Sequence, residues 1–488
     1  MTVRPQRMYS LALATSMLLL VLSRLSSAEV PSNSTIDLLN DWPQQWVDPR
    51  RSDAARRPAY QRTPGHLLTA SASDPVSGQS GNIALQTFDT LQGEPQVMPL
   101  DSVATFDLPV GPPEAWWVDA EYLYWWIKGM KNTPPLVTTS NDVDLGRIGE
   151  TSTRVLFPTA ALFQSPGSGG RIRFGHWWNA EHTQGIAADL WGLNGPSERF
   201  SISSAGIPLI ARPFFDSSSG SQNSEVVAIS GTPSARSGGV SIDADSALYS
   251  GGVVWRWQLG FLRPGRARPC RNAPASFQFL PRGDIRLDFT CGYRYARLQE
   301  RLSIFENVIL GSGDRFDVED HFRTTNDFNG AEIGLLYTHH HCRWSFEFRP
   351  RIAFGGVRQR TQINGNTLST PSGGTPLNES GGLLALAGTN IGTFTRDEFS
   401  ILPQVDARLG YRIMDRLTMT LGYSFLYWMR VARPGEQIDF RVNPNYFPSS
   451  SPFDPPPTPP LGPRDPRPLF ADAAFWAQGL NLGLEYRF

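Results

Sequence analysis

His339, His340, His341 and Cys342 stand in a row, the side chains most often used to hold soft divalent metals. On a continuing strand His339 and His341 would share a face, whereas a tight turn would splay them apart. No second spaced pair such as CxxC accompanies them to complete a coordination shell, so a polar turn is the expected reading. Cys270, Cys291 and Cys342 are odd in number and widely spaced, which gives no disulfide framework and leaves only a Cys270–Cys342 bridge open. Gly373-Gly374 and Gly381-Gly382 lack a following Lys-Ser/Thr and read as loops rather than phosphate cradles. No GxSxG elbow is present. The sequence therefore points to no catalytic residue, no metal and no cofactor, and an enzyme is not expected.

A second set of chemistry-bearing residues is larger and more orderly. Asp119, Glu121, Arg171, Arg173, Asp189, Arg256, Asp284, Arg286, Asp288, Arg294 and Glu332 each alternate with apolar neighbours. So do Arg343, Glu347, Arg349, Arg351, Asp406, Arg408, Arg412, Arg430, Glu485 and Arg487. If they share one interior, they either knit into a salt-bridged plug or line a thin, mildly anion-preferring pore. The cations are almost all arginine, with lysine only at Lys128 and Lys131. A guanidinium fork can bridge two carboxylates in a crowded interior.

Strands must position these groups. From Trp476 every second residue is Trp476, Gln478, Leu480, Leu482, Leu484, Tyr486 and Phe488, against Ala477, Gly479, Asn481, Gly483, Glu485 and Arg487. Soluble strands rarely place their most regular alternation at a terminus, where fraying is usual. A barrel does, because its last strand closes on its first. Ten period-two segments run from Trp116 to Phe488: 116–128, 171–178, 184–193, 252–261, 284–295, 329–338, 343–354, 399–413, 417–431 and 476–488. Links of a few residues, with one intermediate link from about Leu262 to Gly283, alternate with links of about thirty residues or more, as in outer-membrane barrels. Thr153–Phe157 and Glu225–Ile229 leave room for twelve strands. Pro350 and Pro403 interrupt two segments and imply a bulge or local break.

Trp116-Trp117 and Trp125-Trp126, about 23 Å apart along a tilted strand, suggest aromatic girdles at the two membrane interfaces. Tyr427, Trp428, Trp476, Tyr486 and Phe488 are further girdle candidates. The expected fold is an all-β, closed antiparallel transmembrane barrel at residues 115–488.

Residues 1–28 read as a signal peptide, with Arg4 and Arg7 before the apolar run Leu11 to Leu22. Residues 29–114 are rich in Pro, Ser and Gln and read as a tether. No run of eighteen apolar residues follows, and the net charge of −1 gives no reason to expect nucleic acid. The Pro-rich loop Asn443 to Pro468 is stiff enough either to bind a partner or to serve as a spacer.

Four stretches together resemble a known family. WWVDAEYLYWWIKG at Trp116–Gly129, RIRFGHWW at Arg171–Trp178, LDFTCGYRYARLQE at Leu287–Glu300 and LGYRIMDRLTMTLGYSFLYW at Leu409–Trp428 are similar to outer-membrane β-barrel porin family seven, abundant in planctomycete bacteria. The resemblance covers 115–488. It implies an outer-membrane location in a Gram-negative envelope, a lipid bilayer around the barrel and passage of a small solute. It also implies engagement of the terminal strand by a barrel-assembly machinery. It carries no site residues.

Overall fold

A computed structural model describes residues 115–231, 235–262, 284–449 and 460–488. The signal peptide, the tether and Cys270 lie outside the described residues. Ten long strands dominate: β1 Trp116–Ile127, β2 Gly167–Trp177, β3 Gln184–Ser204, β4 Arg236–Leu262 and β5 Asp284–Leu310. They continue as β6 Arg315–His341, β7 Trp344–Thr370, β8 Gly392–Met414, β9 Leu417–Val431 and β10 Ala473–Arg487. Each pairs antiparallel with its chain neighbours, and β1 pairs with β10 from Trp117↔Arg487 to Ile127↔Ala477, so the ladder returns on itself. This is the ring of ten that the alternation predicts; it closes in its lower part, while β3 beyond Asn194 and β8 before Gln404 are paired on one side only.

Two corrections concern strand number and loop length. Arg154–Phe157 and Ser221–Ala228 are strands, but they belong to a separate small sheet with Val137–Thr139, Ile210–Asp216 and Arg441–Val442. The long link expected between the fifth and sixth segments is only residues 311–314, because β5 and β6 each run 27 residues. At about 3.3 Å per residue and a tilt near 40°, such a strand rises roughly 65 Å, more than twice the ~25 Å apolar band.

The outer face shows where that band lies. Along β7 it is apolar from Trp344 through Phe346, Phe348, Ile352 and Phe354, then turns to Arg358, Arg360, Gln362 and Asn364. Along β5 it is apolar from Ile285 to Tyr295 and then becomes Arg297, Gln299 and Arg301. The inner face reverses in step. Below the switch it carries Arg286, Asp288 and Arg294, and above it Ala296, Leu298, Leu302, Ile304 and Val308, all buried. Lipid therefore surrounds the lower part of the ring, and the upper part stands in water around a greasy interior. The lower end carries both termini of the barrel and the short turns 178–183, 342–343 and 415–416, which marks it as periplasmic.

The external loops fill the upper interior. Met130, Leu136, Phe163, Ile210, Phe214, Leu384, Leu386, Val442 and Phe447 join one apolar cluster with the inward side chains of the strands. Each such side chain contributes about 1.5–3 kcal/mol on full burial.

The two prolines act locally. On the β6 side of Pro350 the ladder lapses between Gly334↔Arg351 and Tyr337↔Phe348 without a register shift, since proline has no N–H to donate. Pro403 stands where the β8–β9 ladder stops, just beyond Gln404↔Leu426.

Candidate functional site

The lumen at membrane level is the site that the charged positions build. Glu121, Arg173, Asp189, Arg256, Asp288, Arg294, Asp406, Arg408 and Glu485 all point inward and are buried, and Arg286, Glu347, Arg349 and Arg487 point inward and are half-buried. Asp119, Arg171, Glu332 and Arg351 join them. Arg430 does not: a register shift between Trp428 and Val431 leaves it exposed and paired with Glu398 at 2.9 Å.

These groups bridge the ring rather than line it. Arg351 on β7 reaches across to Asp189 on β3 at 2.9 Å, and also holds Asp406 at 3.1 Å and Glu332 at 3.7 Å. Arg171 on β2 holds Glu121 at 3.2 Å and, across the lumen, Asp406 at 3.4 Å. Arg408 on β8 bonds Asp119 on β1, with Glu347 at 2.7 Å and Glu485 at 2.9 Å. Arg294 donates to Gln404 at 2.5 Å. Near the lower end Arg256 and Arg286 share Asp288, each at 2.7 Å, with Trp177 against both guanidiniums. One cavity between Arg173, Asp189, Arg256, Glu332 and Arg351 is about 30 Å³. That is room for a single water.

The girdle needs correction at three residues. Trp117, Trp125 and Trp428 face inward, because adjacent residues on a strand cannot share a face. Trp117 covers its cross-strand partner Gly175, where an added Cβ would lie 2.5 Å from the indole. Trp125 does the same over Gly479 and donates its Nε1–H to Asn481 at 2.7 Å. Trp428 is fully buried beside Phe328. Trp116, Trp126, Tyr427, Trp476, Tyr486 and Phe488 remain on the outer face. Two polar residues on that face have partners: His176 stacks on Trp116, and Gln478 accepts from the Tyr423 hydroxyl at 2.8 Å.

The histidine run is still strand. His339 and His341 face out, His340 faces in, and the turn is Cys342-Arg343.

Sequence reasoning missed a set of latches in the upper ring. Arg212 of the small sheet bonds Glu306 on β5 at 2.9 Å and Asp320 on β6 at 2.6 Å. Asp320 also accepts the backbone N–H groups of Leu384 and Ala385. Asn326 exchanges two hydrogen bonds with the Ala432 backbone. Arg433 makes two hydrogen bonds to Glu300, at 2.9 and 2.6 Å, and donates to the Lys128 carbonyl. The signal that could have found them is the even-numbered series of β5, which continues past Arg294 to Glu300 and Glu306.

In the same plug Glu225 lies fully buried beside Glu306. Burial first, then the neighbouring carboxylate, raise Glu225 well above the ordinary 4.5, against the pull of Arg212 and Arg236. The folded plug thus holds a proton that the unfolded chain releases near 4.5. The stability this contributes is full below that value and is lost as pH rises through the raised folded one. Glu225→Gln should flatten the decline. Protease nicking of the external loops should speed up as pH rises above 4.5 in the parent chain and much less in the variant.

A closed ring of ten strands, lipid-facing below and packed with its own loops above, defines a β-barrel of the outer membrane. The chain belongs to the family described as Putative beta barrel porin-7 (BBP7), whose profile matches residues 117–488. No curated protein matches it. Among solved structures it is similar to the outer membrane protease OmpT from Escherichia coli, at 9% identity over 77% of this chain and 97% of that one, with a TM-score of 0.31. It is also similar to the P. putida toluene transporter TodX, at 9% identity over 77% and 90% with a TM-score of 0.19. A third is the CymD monoaromatic hydrocarbon channel, at 5% identity over 77% and 89% with a TM-score of 0.20. Identities this low carry no chemistry across.

Proposed function

We propose that this protein is a sealed outer-membrane barrel, an envelope anchor whose watered upper ring and packed loops form a rigid platform at the cell surface. The observation that carries the reading is the pair of cross-lumen bridges, Arg351 to Asp189 and Arg408 to Asp119, beneath a plug of external loops. Small solutes pass only in a state where that plug is displaced. A porin role remains the second reading, favoured by the family's description and by a lumen that is charged rather than greasy at membrane level. No catalytic chemistry is assigned.

Planar-bilayer recording separates the two readings. The parent chain should insert and stay electrically silent at modest voltage. Steady discrete conductance steps from the unmodified protein would overturn the sealed reading in favour of an open pore.

A further inference from the structure

At the periplasmic end of the ring, four arginines meet around one cavity of about 240 Å³. Arg343 lies in the turn between β6 and β7, Arg412 near the end of β8, Arg416 in the next turn and Arg487 at the end of β10. Backbone hydrogen bonds fix them as two neighbouring pairs. The Arg412 N–H donates to the Arg343 carbonyl at 2.8 Å, and the Arg487 N–H donates to the Arg416 carbonyl at 3.1 Å. Like charges set side by side across a ladder destabilise it unless something negative lies between them.

Two acids border the same space, Glu485 and Asp415. Glu485 is already engaged by Arg408 at 2.9 Å and by Arg487 at 2.7 Å. Among the described residues, neither Arg343 nor Arg412 has a carboxylate within ion-pair distance. Ser345 and Thr418 add hydroxyl donors to the wall.

We propose that this mouth binds a phosphate-bearing anion from the periplasmic side. Planar guanidinium forks match the oxygens of a phosphate two at a time, and a dianion beside Arg343 and Arg412 relieves the like-charge contact of that pair. The anion is either a free phosphate or the headgroup of an anionic phospholipid, since Trp344 on the outer face borders the same cavity. The site lies below the cross-lumen network, so it stands whether or not the barrel conducts.

The test is calorimetric titration of the full-length protein in detergent with inorganic phosphate. A parallel measurement follows retention of phosphatidic acid against phosphatidylcholine in nanodiscs. The parent chain should bind one of these probes saturably, and the Arg343→Gln/Arg412→Gln variant should bind it at least tenfold more weakly. Saturable heat with inorganic phosphate identifies a free anion. Selective retention of phosphatidic acid without that heat identifies a headgroup. Should the double variant fail to fold, Arg343→Gln alone, at an exposed turn, is read for the same loss. Binding of neither probe, or equal binding by the folded variant, overturns the proposal.

Discussion

Replacing Arg351 by alanine should cost about 3–5 kcal/mol of folding stability, the range for breaking a buried ion pair from one side. Arg351 is buried and serves three carboxylates, Asp189, Asp406 and Glu332, drawn from β3, β8 and β6. Its removal leaves Asp189 and Asp406 to Arg171 and Glu332 to Arg294, one cation short in a buried network. Arg351→Lys should recover part of the loss, since an ammonium keeps the charge but cannot fork between Asp189 and Asp406. Arg430→Ala is the control. Its pair with Glu398 is half in solvent and should be worth at most about 1 kcal/mol. Equilibrium unfolding in lipid vesicles, followed by tryptophan fluorescence, reads all three. A loss below about 1 kcal/mol for Arg351→Ala would mean that the lower lumen is wet and its bridges are loose.

Leu421→Arg should cost about 2–4 kcal/mol by the same measurement, because it puts a cation on the lipid face near mid-height. Leu421 is exposed on the outside of β9 between its cross-strand partners Leu409 and Leu482. Thr393→Arg is also exposed and outward, but it lies on β8 above the switch from apolar to polar outer face, opposite Gln362. That change should stay within about 0.5 kcal/mol. Equal effects at the two positions would show that lipid does not end where the outer face turns polar.

The lower half of this molecule was legible because lipid and lumen demand opposite chemistries on alternate residues. Ile285, Leu287, Phe289, Tyr293 and Tyr295 announce their strand, and Arg286, Asp288 and Arg294 announce its interior. The upper half was hidden by an inversion of the same rule. Past Tyr295 the odd positions become Arg297, Gln299 and Arg301 while the even ones become Ala296, Leu298 and Leu302, so the alternation changes phase and looks like its own end. A strand that leaves a membrane for water must make this change, and a reading that looks for one constant phase stops at the boundary. The inward-facing tryptophans were misplaced for a simpler reason. Residue type groups Trp117 and Trp125 with their neighbours, whereas parity assigns each doublet one member per side. The direction of the charged groups followed from parity, but their partners did not. Whether Arg171 meets Asp406 depends on the diameter and shear of the ring, which no local pattern encodes.

The seam between β1 and β10 governs the order of events at the protein's birth. Trp116 exchanges both backbone hydrogen bonds with Phe488, and every residue from Trp117 to Ile127 finds its partner within the last strand. Until that final segment exists, the opening strand offers one bare flank, and whatever has been laid down beside it offers another. Losing the closing segment would therefore leave two unpaired strand margins, each a template for pairing with another chain.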